Sequence, residues 1–152
     1  MRHWLGHQTG DHMLKIFAVL CALALVPGAA LAQGAQPAAK PDRKSPTAFN
    51  NPIPNIPGKS LMAVVVDYPP GGGTPPHRHA PSAFITGYVL EGAVRSQVDN
   101  GPVKIYRAGE YFTENPGSHH VVSENASKTE PAKLLAIFVL DTGEVPLTTL
   151  DK

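Results

Sequence analysis

Three histidines carry the chemistry this sequence can offer outside its N-terminal leader. His77 and His79 stand two residues apart within residues 71–92, GGGTPPHRHAPSAFITGYVLEG, after a Gly- and Pro-rich run and before strand-forming residues. Imidazoles at i and i+2 on extended backbone project from the same face, because side chains alternate along a strand. His120, set behind Gly109 and the Pro116-Gly117 turn, is the third. Neutral imidazole suits late first-row metals, so three of them can hold one divalent transition metal (Fe, Mn, Zn, Cu or Ni) and leave positions open for water or substrate.

The neighbours of these histidines read differently. His119 should point away from His120, toward the rim or solvent, and Arg78 by the same alternation is a surface charge. Glu110 and Glu114 are the nearest acidic residues that could stand in as a carboxylate ligand, but glutamates flanking turns are usually solvated. Arg95 and Gln97 share one strand face, and Tyr88, Tyr106 and Tyr111 could each place a hydroxyl near a cavity.

The elements that must position the histidines are short strands. Sixteen Pro and fourteen Gly among 152 residues argue against long helices. Residues 61–67, 83–90, 93–98, 103–107, 111–114, 119–123 and 133–141 read as strands, with Glu91-Gly92 as a tight hairpin connection and Asp99-Asn100-Gly101 supplying left-handed conformations for a second hairpin. Residues 133–141, KLLAIFVLD, form the most apolar run after the leader and are expected to be buried on both faces. Strands at this spacing indicate an all-β sandwich or small barrel.

Three segments divide the chain. Residues 16–32, IFAVLCALALVPGAALA, carry the apolar run and small-residue ending of a secretory signal peptide over residues 1–32, cleaved between Ala32 and Gln33. That places the mature protein in the periplasm or outside the cell, with no membrane attachment after cleavage. The only cysteine, Cys21, lies in the leader, so disulfides and thiolate chemistry are excluded from the mature chain. With Arg2, Lys15 and Asp11 removed, eleven basic and eleven acidic residues remain, a balance that does not suggest nucleic acid as a partner. Residues 33–60, with six prolines and a basic cluster at Lys40, Arg43 and Lys44, read as a linker or N-terminal arm whose second half could lie extended against the domain. The folded domain is expected over residues 61–150.

Two ordered motifs give this domain a family likeness. Gly71, five residues, His77, one residue, His79 and a strand ending at Gly92 resembles the first motif of the cupins. Gly109, then Pro116-Gly117, two residues, His120 and a later Asn125 resembles the second. The resemblance is to small single-domain bacterial cupins and covers roughly residues 61–139. It implies an antiparallel jelly roll (double-stranded β-helix), a homodimer, a small-molecule ligand or substrate, and a metal on His77, His79 and His120. It also implies turnover of a small oxygenated substrate, as in dioxygenases or isomerases, with a non-catalytic metal- or small-molecule-binding module as the alternative. The family's glutamate after the second histidine is missing, its plausible positions being taken by Ala83, Phe84 and Ile85; Asn115 stands where a proline is usual. The expectation is an apolar-walled site whose ligands add no charge.

Overall fold

A computed structural model describes residues 45–152, and among these the secondary structure is entirely strand and turn. Eleven strands follow in chain order: β1 Thr47–Pro52, β2 Lys59–Tyr68, β3 Gly73–Thr74, β4 His77–His79, β5 Phe84–Glu91, β6 Ala93–Val98, β7 Lys104–Arg107, β8 Tyr111–Glu114, β9 His119–Asn125, β10 Ala132–Asp141 and β11 Thr148–Leu150. They form two sheets, ordered β1-β2-β10-β5-β8 and β11-β4-β9-β6-β7, with β3 also on β9. Every pairing is antiparallel.

Period-two alternation builds the first sheet. Met62, Val64 and Val66 of β2 face inward with Leu134, Phe138 and Leu140 of β10, Ile85 and Val89 of β5 and Phe112 of β8, and Val94 of β6 joins the same core from the second sheet. The leader lies outside the described residues, as does the first part of the 33–60 segment. The second part of that segment is an arm: β1 adds an edge strand to β2, with Thr47 opposite Val64 and Pro52 opposite Ser60. Strand pairing thus reaches back to Thr47.

Two local expectations are corrected. Glu91-Gly92 is not a hairpin, because β5 pairs with β10 and β8 whereas β6 pairs with β9 and β7. The chain instead turns a corner there from one sheet to the other. Gly92 has φ +67°, and a Cβ on it would stand 2.5 Å from the Pro131 carbonyl oxygen. A sharp Gly turn between two strands has the same local signature in both cases, and only long-range pairing distinguishes them. The run 133–141 is also not buried on both faces. Its inner residues are buried, but Leu135, Ile137 and Val139 are only half-covered, since no further element of the described residues packs on that side.

The hairpin at Asp99-Asn100-Gly101 forms between β6 and β7, with the left-handed position on Asp99 (φ 50°). Asp99 is tied to β9, its N–H donating to the His119 carbonyl (2.7 Å) and its Oδ1 accepting from the His119 N–H (2.9 Å). That clamp fixes the strand carrying His120 against β6.

Candidate metal centre

Strand pairing brings the three histidines together. On β4 and β9, His77 is directly opposite His120 and Arg78 opposite His119. His79 follows His77 by two residues and shares its face. Pro75 and Pro76 hold the entry to β4 extended, and the Pro75 carbonyl lies 2.9 Å from His77 Nδ1. A carbonyl only accepts, so the proton sits on Nδ1 and the lone pair on Nε2. On the far edge β11 pairs with β4, Thr148 facing His79 and Leu150 facing His77.

All three imidazoles are buried. Ring centroids are 4.9 Å apart for His77 and His79, 5.3 Å for His77 and His120, and 6.0 Å for His79 and His120. One nitrogen from each lies within 4.8 Å of the others, so the trio could hold a metal ion. As alternation requires, Arg78 is exposed, and His119 turns away to Asp151, with 2.8 Å between Nε2 and Oδ2.

Glu114 overturns the expectation of a site without a carboxylate. It lies on β8 of the opposite sheet, 3% exposed, with Oε2 3.0 Å from His79 Nε2 and 3.4 Å from His120 Nδ1. Glu110, by contrast, is exposed and accepts from the Arg107 N–H. The signal for Glu114 was in the sequence: Phe112 is an obvious core residue, and the residue two further along a strand shares its face. Phe84, expected to wall the site, points outward and is exposed, whereas Ile85 faces the cavity. Ser96, which nothing in the sequence singles out, places its Oγ 2.9 Å from His120 Nε2.

The electrostatics suit a cation. Burial lowers the His120 pKa to about 4, with His77 and His79 adding to the fall and Glu114 opposing it. The Phe112 ring, 5.7 Å from that of His120, belongs to the apolar collar responsible. Burial pushes the Glu114 carboxyl up, but the His79 contact and the fields of His120, His79 and His77 outweigh it and hold it below its ordinary value. Near neutral pH the centre is therefore a buried carboxylate beside a neutral His120.

Neither nitrogen of His79 nor Glu114 Oε2 makes a hydrogen bond, although two of these atoms are 3.0 Å apart. The ring nitrogen and the oxygen approach without the alignment a hydrogen bond needs. Buried polar atoms are rarely left so, and unsatisfied ligand atoms this close together are what a metal ion would satisfy. The residues fit the group.

A cavity of about 180 Å³ opens from this cluster. Its floor holds the histidines and Glu114, and its walls are chiefly apolar, including Val64, Val66, Ile85, Leu134 and Phe138. Ser45 and Thr47 from the arm and Leu147 and Thr148 near β11 also line it. Tyr88 and Tyr111 are exposed away from it and Tyr106 packs on Phe112, so the tyrosine that reaches it is Tyr68, with Oη 2.8 Å from Ser123 Oγ.

The cupin domain family matches residues 64–138, a span that contains all three histidines and Glu114. The chain belongs to the cupin superfamily. A double-stranded β-helix protein from Klebsiella pneumoniae subsp. pneumoniae MGH 78578 superposes with a TM-score of 0.55 at 20% identity, covering 77% of this chain and 89% of that one. The cupin domain of Schizosaccharomyces pombe Cnp3 does so with 0.52 at 20% identity, covering 66% and 62%. At that identity both speak to the cupin fold alone. Oxalate oxidase in complex with the substrate analogue glycolate matches with a TM-score of 0.50 at 28% identity, covering 57% of this cupin and 45% of that chain, so the match spans under half of the enzyme. No curated protein matches the sequence.

Proposed function

We propose that this cupin is a periplasmic or secreted metal-dependent enzyme that binds one divalent transition metal through His77, His79 and His120 and acts on a small oxygenated substrate in the cavity above it. The observation that carries the reading is the convergence of three buried imidazoles on one point, within 4.8 Å of one another, at the floor of that cavity. A bound divalent ion supplies a Lewis-acidic open position that polarises an oxygen donor or lowers the pKa of a bound water.

The chain's own residues set the rest. Ser96 and the Pro75 carbonyl orient the rings of His120 and His77, fixing the direction in which their nitrogens point. The cavity is small, about 180 Å³. It therefore admits a compact molecule such as a single-ring catechol or a short hydroxy acid. Among the described residues no Lys or Arg lines it, and the one carboxylate among them is Glu114. A dianion would find no second cationic partner, so a neutral or singly charged oxygen donor with an apolar body is the substrate class the walls favour. The likeness to oxalate oxidase supports small oxygen-donor substrates as a class, while the apolar lining argues against transferring oxalate itself.

The partner surface is the outer face of the first sheet. Leu61, Phe84, Tyr88, Leu90 and Tyr111 are exposed there around the half-covered β10 residues. Ion pairs Lys133–Asp67 and Lys133–Glu91 border one end and Lys59–Asp141 the other. An apolar patch rimmed by charges marks an association site, and a second copy, presenting the same face across a two-fold axis, is its inferred occupant.

Metal analysis of untagged protein tests the site. Wild type is expected to carry about one equivalent of transition metal, and a His77→Ala, His120→Ala double variant none; equal substoichiometric metal in both would remove the hypothesis. Oxygen uptake and product formation by the loaded protein with catechols, small thiols and 2-hydroxy acids then test turnover. Silence across that panel with ligand binding retained would assign the non-catalytic binding module instead.

A further inference from the structure

Ile85 and Glu114 are the two facing members of one cross-strand pair between β5 and β8. Both point into the interior, Ile85 at 1% and Glu114 at 3% exposure, and both line the histidine cavity. Ile85 is among the three positions where the first motif lacks its glutamate, and it is seven residues before the closing Gly92. The apolar residue and the carboxylate have thus exchanged strands while keeping the same level along the sheet. Directly opposed Cβ atoms in an antiparallel pair are about 5 Å apart. A glutamate's length spans that distance, so either strand can deliver a carboxylate to the same point.

The geometry points to Glu114 as the fourth protein ligand of the metal, a carboxylate supplied from β8 in place of one from β5. This rests on the three-histidine reading above and adds to it. Oε2 lies 3.0 Å from His79 Nε2 and 3.4 Å from His120 Nδ1, yet among the described residues it makes no hydrogen bond and no Lys or Arg lines the cavity to neutralise it. A buried carboxylate in that position needs a cation, and the space between Oε2 and the His79 and His120 nitrogens is where one would sit. One anionic ligand leaves a bound dication with a single net positive charge. The exchangeable positions then prefer neutral or monoanionic oxygen donors, in agreement with the apolar walls, and the carboxylate shifts the donor set toward the harder ions of the series.

The test compares Co(II) binding and the Co(II) electronic spectrum in the mature wild-type chain, in Glu114→Gln, and in the exchange variant Ile85→Glu, Glu114→Ile. Folding of each metal-free variant is checked by circular dichroism and thermal melting. Glu114→Gln is expected to weaken Co(II) binding by about 10- to 100-fold or more and to alter the spectrum, and the exchange variant to recover binding to within about threefold of wild type. Unchanged affinity and spectrum in Glu114→Gln would overturn the assignment, as would an exchange variant that binds no better than Glu114→Gln. If wild type itself takes up no Co(II), it is the three-histidine reading that falls.

Discussion

Glu114 on β8 reaches across the interior to His79 on β4, Oε2 to Nε2 3.0 Å, joining a carboxylate from one sheet to an imidazole from the other. The site is therefore a junction between sheets and depends on both being in register.

The hydroxyl of Ser96 should matter to metal affinity without touching the metal. Its Oγ is 2.9 Å from His120 Nε2, on β6 beside β9. Ser96→Ala removes the bond that orients this ring, and metal affinity is expected to fall by about 10- to 100-fold, measured by chelator competition, with the melting temperature of the metal-free protein nearly unchanged. An unaltered affinity would show that packing alone sets the ring.

Acid should destabilise the metal-free protein. His120 binds its proton at about 4 when folded and near its ordinary 6.5 when unfolded, so between these values the unfolded chain holds more protons and stability falls as pH falls. Glu114 acts in the same direction, its stabilisation being present above its ordinary 4.5 and lost as pH drops through its lower folded value. The His120 contribution is of order 3 kcal/mol, complete above about pH 6.5 and gone by about pH 4. Urea titrations across that range should show the decline, and His120→Gln should flatten it.

The corner at Gly92 predicts an asymmetry between two glycines. Gly109 has φ +89° and open space where a Cβ would stand, with nothing within 4 Å, whereas Gly92 combines φ +67° with a Cβ position 2.5 Å from the Pro131 carbonyl oxygen. Gly109→Ala should cost about 1–2 kcal/mol from the left-handed backbone alone. Gly92→Ala adds a backbone clash at the point where the chain changes sheets, and should exceed it by at least ~1 kcal/mol in the same denaturation assay.

Charge on the outer face should separate the two copies. Leu135 lies in the middle of that face, half-covered, beside Val65 and Tyr88 in register. Leu135→Glu is expected to give monomers in sedimentation equilibrium while metal content stays at the wild-type level, because the inner face is untouched. A wild type that is monomeric at high concentration would remove the dimer.

Export gives the last expectation. Residues 16–32 read as a signal peptide ending at Ala32. Intact-mass measurement of the secreted or periplasmic chain should find a first residue of Gln33; the full leader on that protein would count against cleavage.

The all-β class, most strand positions and the three histidines are legible in the chain alone, because these rest on local quantities. Period-two alternation, Gly and Pro turns and the i, i+2 spacing of His77 and His79 are legible within a few residues. Alternation also marks the opposite orientations of His119 and His120. Which strand lies beside which emerges only from long-range pairing. Glu91-Gly92 looks like a hairpin until β5 and β6 are found in different sheets, and residues 133–141 look buried twice over until one face is left uncovered. Glu114 looks like a solvated turn residue until β8 is paired with β5, which turns its alternating face, shared with Phe112, onto the histidines. The carboxylate of the site is a product of cross-strand register, and register is a relation between distant segments that neither segment encodes alone.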